Sequence, residues 1–190
     1  MSRGEIEQIL SSLGDFVQID HLLRFIKEPG VSSEMKKFVY VKLASIYERK
    51  GMFFDASKSY NNAAIHCLND LEKGNYYLKE CEMLIKGGFF DNIDKALQSV
   101  YTNKSSFEKA QIYQKIKELY QKQAEFYESQ LKRSNAVRVY EKMLELRLEE
   151  KEKAEIKKRL VELYEKLGKK KEYMLAGQGG QRRKTPWIKG

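Results

Sequence analysis

The chain has 190 residues, of which 42% are hydrophobic, and its formal net charge is +9. It contains no run of about 18 apolar residues, which excludes a membrane-spanning helix, and we expect no signal peptide because the N-terminus lacks an apolar core. Its two cysteines, Cys67 and Cys81, fall within helical patterns where a small apolar residue is wanted. They predict structural thiols rather than a disulfide, and together these features predict a cytoplasmic protein.

The first 30 residues predict a hairpin of two short helices. Apolar residues recur at spacings of three and four over 4–13 and over 18–27, with a turn near Gly14 and Asp15. Pro29 and Gly30 then break the helical pattern. Because the ends of a helical solenoid need a cap, we interpret residues 1–30 as an N-terminal capping hairpin.

Longer helices follow, and several have recognisable start signals. Ser32 or Ser33 can cap a helix with Glu34 in its first turn, and Ser105 and Glu108 have the spacing of a capping box. The first pair of helices is predicted to end near residues 50 and 68, and later helices are predicted at 72–86, 91–101, 105–131, 134–148, 150–167 and 169–175. We interpret residues 31–176 as helical repeats and residues 177–190 as a flexible basic tail.

Two stretches of the chain carry the same pattern of small and aromatic residues, offset by 80 positions. Within each copy, three residues lie on one face of one helix and two on a second helix, with a turn between them. The unit is therefore a helical hairpin in which alanines allow two helices to cross closely. The first copy consists of Tyr40, Ala44, Tyr47, Ala56 and Tyr60, and the second of Tyr120, Ala124, Tyr127, Ala136 and Tyr140.

The first copy resembles the tetratricopeptide repeat. With Lys37 as the first repeat position, nine residues fall where that family places its conserved types: Tyr40, Leu43, Ala44, Tyr47, Gly51, Phe53, Ala56, Tyr60 and Ala63. The second copy, from Lys117, departs from the pattern at Gln123, Leu131 and Met143. The resemblance implies an all-α fold, a right-handed α-α superhelix built as a solenoid of antiparallel helical hairpins.

Two weaker units, which begin at Gly74 and Ala154, fill the gaps between these copies when Gly88 and Gly168 are placed at the turns. The units are longer than the roughly 34 residues of a standard repeat. Lengthened helical pairs of this kind are similar to those of the soluble NSF attachment proteins, whose fold is a twisted sheet of helices.

Signals for catalysis or for a bound cofactor are absent from the sequence. The only histidines, His21 and His66, have no partner at a metal-ligand spacing, and no glycine-rich phosphate loop, GxSxG turn or CxxC motif occurs. The acidic residues alternate with lysines in the manner of solvated helix faces. We therefore expect no enzymatic activity, no metal and no cofactor.

The resemblance places ligand peptides on a concave face formed by the first helix of each hairpin. The family's contact positions would give an apolar region in the N-terminal half and an acidic region after it. In the last unit these positions hold Glu155, Lys158, Glu162, Glu165 and Lys166. We expect Glu125 and Glu128 to be exposed charges that contribute little to folding. The predicted contact residues are Phe38, Val41, Ser45, Leu78, Glu82, Ile85, Glu118, Gln121, Glu125 and Glu128.

Burial under the capping hairpin or a neighbouring helix is the equal alternative for the four apolar members of this set. Tetratricopeptide domains that grip a C-terminal carboxylate use basic and amide residues at positions 2, 5, 6 and 9. Here Val41 and Ser45 occupy positions 5 and 9 of the best repeat, so we do not expect such a clamp.

The positive charge concentrates at the C-terminus, since 13 basic and 7 acidic residues lie from Glu149 onward. The tail holds Arg182, Arg183 and Lys184 beside the only tryptophan, Trp187. Its composition leaves three alternatives: a docking peptide, a segment that folds back on the last helix, or a tail without function.

These observations predict a non-enzymatic adaptor that binds a protein or peptide on its concave face. The alternative is an RNA- or ribosome-associated protein that uses the basic last hairpin and tail, with Trp187 stacking on a base. A third interpretation is a structural role in which the solenoid self-assembles through an uncapped end into a homo-oligomer.

Overall fold

The computed structural model describes residues 2–102 and 104–169, and in these ranges the chain is helical without a strand. The predicted all-α class is therefore confirmed. A short 3₁₀ turn, Phe90–Asn92, leads into α6. The helices are α1 (Arg3–Ser11), α2 (Asp15–Ile26), α3 (Ser33–Arg49), α4 (Phe53–Ile65), α5 (Asp70–Gly87), α6 (Ile93–Tyr101), α7 (Ser106–Ser129), α8 (Arg133–Leu144) and α9 (Glu150–Lys166).

The predicted start signals of α3 and α7 are confirmed. The Ser32 side chain accepts a hydrogen bond from the backbone N–H of Met35. The Ser105 hydroxyl accepts from the N–H of Glu108, whose carboxylate accepts in return from the N–H of Ser105. Each cap satisfies backbone donors that the first helical turn leaves without partners.

The end of α8 differs most from the sequence prediction. This helix ends at Leu144, four residues earlier than predicted, because the next segment makes contacts to α7 instead of continuing the helix. The Tyr113 hydroxyl donates to the carbonyl oxygen of Arg147 at 3.0 Å, and Leu148 is buried. The predicted helix over 169–175, apart from Lys169, and the predicted tail over 177–190 lie outside the described residues.

The chain divides into two compact units, Met1–Lys104 and Ser105–Gly190. The described part of the first unit contains α1 to α6, and that of the second contains α7 to α9. The division falls immediately before Ser105, the first residue of the capping box of α7. The proposed domain boundaries at residues 30 and 176, and a superhelical arrangement, stay predictions.

The first unit has a core between α1, α2 and α3. Ile6, Leu22, Val39 and Leu43 are each at most 1% exposed, and they cluster with Leu10, Ile19, Phe25 and Ile46. Full burial of one such side chain is worth roughly 1.5–3 kcal/mol. The N-terminal hairpin is thus fixed on α3 by apolar packing.

Small residues are fully buried in the helix packing of both units. In the first unit, Ala44 of α3 and Ala56 of α4 are fully buried. They cluster with Tyr60, which is also on α4, and with Met83 of α5. In the second unit, Ala124 of α7 and Ala136 of α8 are also fully buried. A larger side chain at any of these positions would force two helices apart.

Helix ends that lie 80 residues apart also share a left-handed backbone conformation. At the ends of α3 and α5, Gly51 and Gly88 adopt left-handed backbone conformations, with φ of 73° for both. Gly168, after α9, corresponds to Gly88 and has φ of 69°, whereas Gly51 corresponds to Leu131 after α7, with φ of 57°. Hydrogen bonds of the Schellman type close all four ends.

None of the helices in the described part of the chain combines the length and the apolar character that crossing a membrane requires.

Candidate functional site

The second unit contains an open cleft of about 330 Å³ between α7, α8 and α9. The predicted contact residues Gln121, Glu125 and Glu128 line it from α7, because spacings of four and three place them on one helix face. Glu118, a further predicted contact residue, is exposed on α7 but does not line the cleft. The other lining residues are Lys117, Tyr140, Met143, Leu148, Glu152, Glu155, Ile156 and Arg159.

The cleft combines buried apolar residues with charged ones. Met143, Leu148 and Ile156 are at most 8% exposed and come from α8, the α8–α9 connection and α9. Glu152, Glu155 and Arg159 lie at i, i+3 and i+7 of α9, which again is one helix face. The lining therefore contains four carboxylates and two cationic side chains.

Three of the four carboxylates, Glu125, Glu128 and Glu155, have no ion pair among the described residues. Lys117 contacts Glu152 at 2.5 Å, and this hydrogen bond holds the pKa of Glu152 below its ordinary value. Glu125 accepts a hydrogen bond from the Gln121 amide at 2.9 Å. Within the described ranges, however, neither Glu125 nor Glu155 is within 4 Å of a cationic group. Because four carboxylates stand against two cationic side chains, the lining of the cleft has an excess of negative charge.

Glu128 has a structural contact that the sequence does not reveal. The Tyr140 hydroxyl, on a side chain that is 6% exposed, donates to Glu128 Oε1 at 2.6 Å. Burial raises the pKa of Tyr140, and the neighbouring carboxylate raises it further. The expectation that Glu128 contributes little to folding is wrong, because its loss would leave a buried hydroxyl without its acceptor.

In the first unit, the carboxylates of Glu48 and Glu82 are paired with lysines. Glu48, 80 residues before Glu128, contacts Lys86 at 2.8 Å and is 3.4 Å from the Tyr60 hydroxyl. Lys86 also contacts the predicted residue Glu82 at 3.0 Å, and Lys79 contacts Glu82 at 2.9 Å. Although burial acts to raise it, the hydrogen bonds from these two lysines hold the pKa of Glu82 below its ordinary value.

The predicted apolar contact residues of the first unit are buried or half-buried against other parts of the protein. Ile85 is only 1% exposed and so belongs to the core. Phe38 is half-buried, packs against the core of α1, α2 and α3, and lies 5.4 Å from both Arg3 and Lys42 in cation–π geometry. Val41 and Leu78 are half-buried. For Phe38 and Ile85 the burial alternative describes the structure better than ligand contact.

Ser45 is exposed and lines a second, smaller cleft of about 290 Å³ in the first unit. This cleft lies between α1, α2 and α3, and Lys42 contacts Glu7 there at 2.6 Å. The structure thus brings Gln121, Glu125 and Glu128 together in one cleft of the second unit, whereas Ser45 lines a different cleft, in the first unit.

The cysteines and histidines do not form a reactive site in the described residues. Cys67 and Cys81 are buried free thiols, and burial raises the pKa of each, so both stay protonated and are weak nucleophiles. No group of three His, Cys, Asp or Glu side chains in the described ranges is placed to hold a metal ion. Arg182, Arg183, Lys184 and Trp187 lie outside the described residues.

Sequence reasoning missed Lys117, Glu152 and Arg159 as residues of the cleft. A signal for the first two existed in the 80-residue offset, because the corresponding Lys37 and Glu72 form the same contact in the first unit, at 3.0 Å. Arg159, on α9, corresponds to Lys79, on α5. The family positions alone do not include these residues.

No protein-family model matches the chain, and neither does any curated protein or any solved structure.

Proposed function

We propose that this protein is a non-enzymatic adaptor and that the cleft between α7, α8 and α9 binds a basic segment of a partner protein. The observation that carries the proposal is the pair of carboxylates, Glu125 and Glu155, that line the cleft without an ion pair in the described part of the chain. The resemblance of the helical hairpins to tetratricopeptide repeats supports the same function.

The charge of the cleft argues for a basic occupant. The protein as a whole carries +9, so an acidic cleft has a sign opposite to its surroundings. Charge complementarity of this kind fixes the orientation of a partner and excludes partners of the wrong charge. Arginine and lysine side chains form charge-assisted hydrogen bonds with carboxylates, and those of arginine are often bidentate.

The size of the cleft argues for a short segment rather than a large surface. A volume of about 330 Å³ is at the lower end of the range for ligand pockets. It suits a few side chains whose charged groups reach Glu125 and Glu155 while their methylene groups cover the apolar part of the lining.

The proposal is tested by capture of partners from native lysate, with nuclease present, followed by affinity measurement on the captured protein. We expect Glu125→Lys combined with Glu155→Lys to weaken binding at least tenfold, about 1.4 kcal/mol. The matched control is Glu28→Lys with Glu165→Lys, which changes the charge equally at exposed sites outside the cleft. Glu128 is left unchanged because it supports Tyr140.

Partners that bind wild type, control and cleft variant equally would contradict the proposal. Both variants should keep the wild-type melting temperature, since exposed charges contribute little to folding. Capture that disappears with nuclease in all three proteins would instead favour the RNA-associated alternative.

A further inference from the structure

The described part of the chain ends at Lys169, directly after α9, which forms one wall of the cleft. Residues 170–190 follow, and they contain six basic residues and one acidic residue. Three of the basic residues are consecutive, Arg182 to Lys184, and Trp187 and Ile188 come soon after. The chain therefore carries, next to its acidic cleft, a segment with the composition that the cleft would select.

This segment is long enough to reach the cleft. Glu155 lies 11 residues before Lys166, where α9 ends, which corresponds to about 17 Å at the rise of an α-helix. The 13 residue-to-residue steps from Lys169 to Arg182 span up to about 43 Å when extended. The basic residues can thus turn back along α9 and arrive beside Glu155 with chain to spare.

The cleft and the C-terminal segment have complementary chemistry. The cleft offers Glu125 and Glu155 to the guanidinium and ammonium groups of residues 182–184. The apolar part of the lining, from Met143, Leu148 and Ile156, offers a small contact area to Trp187 and Ile188. Because an attached segment has a local concentration in the millimolar range, even a weak interaction would keep the cleft occupied.

We propose that residues 182–188 of the chain's own C-terminal segment bind in the cleft between α7, α8 and α9. There the segment competes with the basic segment of a partner, so that the cleft is autoinhibited until a tighter ligand displaces the segment. This inference rests on the proposed function of the cleft as a site for basic segments.

The test uses Trp187, whose fluorescence reports on this segment alone because the chain has no other tryptophan. In the full chain we expect acrylamide to quench Trp187 at least twofold less efficiently than it quenches a synthetic peptide of residues 177–190. Glu125→Lys with Glu155→Lys should raise quenching to the level of the peptide, and Glu28→Lys with Glu165→Lys should leave it unchanged. About 1 M NaCl should also release the segment, because charges are then screened beyond about 3 Å.

Three results would overturn the inference. Quenching of the wild type at the level of the free peptide would show that the segment is not bound. Protection that survives the cleft variant would place the segment elsewhere, and protection that disappears on dilution would indicate that a second copy of the chain provides the site.

The full-chain variant Arg182→Glu, Arg183→Glu and Lys184→Glu separates this inference from the proposed function. We expect it to expose Trp187 and to bind the captured partner more tightly than wild type. An exposed Trp187 in wild type, together with cleft-dependent partner capture, would reject the inference alone. A protected, cleft-dependent Trp187 without any captured partner would reject the adaptor function alone.

Discussion

Leu131 occupies a backbone conformation that suits glycine. Its φ of 57° makes it the one non-glycine residue with positive φ in the described part of the chain. Its N–H donates to the carbonyl of Glu128 at 2.9 Å, and the N–H of Lys132 donates to Tyr127 at 2.8 Å. The same two bonds close α3, where Gly51 takes the position of Leu131. We therefore predict that Leu131→Gly stabilises the protein.

The magnitude follows from the backbone and from the exposure of the side chain. A left-handed conformation costs an L-residue roughly 1–2 kcal/mol, and glycine is free of this cost. Glycine also lowers the folding stability by roughly 0.4–1 kcal/mol, because it increases the conformational entropy of the unfolded chain. The Leu131 side chain is 73% exposed, so its removal loses little packing. The net stabilisation is about 0.5–1 kcal/mol.

The assay is urea unfolding followed by circular dichroism, with two comparison variants. Leu131→Ala removes most of the side chain but keeps a Cβ in the left-handed conformation, so we expect no stabilisation from it. Gly51→Leu is the reverse substitution and should destabilise by about 0.5–1 kcal/mol, since a Cβ there meets no heavy atom within 4 Å and only the backbone cost remains. If Leu131→Gly were no more stable than Leu131→Ala, the reasoning from φ would be refuted.

Three further predictions concern the packing and the buried hydrogen bonds. Ala136→Leu should destabilise by roughly 1–3 kcal/mol in urea unfolding because this fully buried alanine lies where α8 packs, and wild-type stability would refute the close contact. Tyr140→Phe should cost about 1–2 kcal/mol and Tyr60→Phe less, because their hydroxyls lie 2.6 Å and 3.4 Å from Glu128 and Glu48; equal losses would contradict the geometry. Hydrogen bonds from Lys37, Tyr76 and Cys67 lower the pKa of Glu72 to about 2 from 4.5, so its stabilisation is present above pH 4.5 and is lost as the pH falls toward 2. Urea midpoints of wild type and Glu72→Gln should therefore converge over that range, and a constant difference would show that Glu72 is not involved.

Sequence reasoning identified the helices and their packing faces because these depend on local signals. The serine caps of α3 and α7 are satisfied within a few residues of chain, and so their positions could be read from spacing alone. The alanines of the 80-residue pattern mark close helix contacts, since small side chains at helical spacing have few other physical reasons to recur.

The end of α8 and the role of Glu128 could not be predicted in this way. Both depend on tyrosines that are distant in the sequence: Tyr113 bonds to Arg147, and Tyr140 bonds to Glu128. A hydroxyl has the same appearance in a sequence whether it faces water or a buried acceptor. The sequence therefore placed Glu128 on the correct helix face but assigned it the wrong contribution to folding.

The sequence by itself determined that the chain is all-α and which α7 residues share a face, because periodicity fixes both within one helix. Only the tertiary structure decided which carboxylates stay without a cationic partner. Glu48 and Glu128 are equivalent in the repeat, yet Lys86 reaches Glu48, and no cationic side chain in the described ranges pairs with Glu128. Ion pairing between helices depends on where side chains from different helices meet, and that is a property of packing rather than of spacing along the chain.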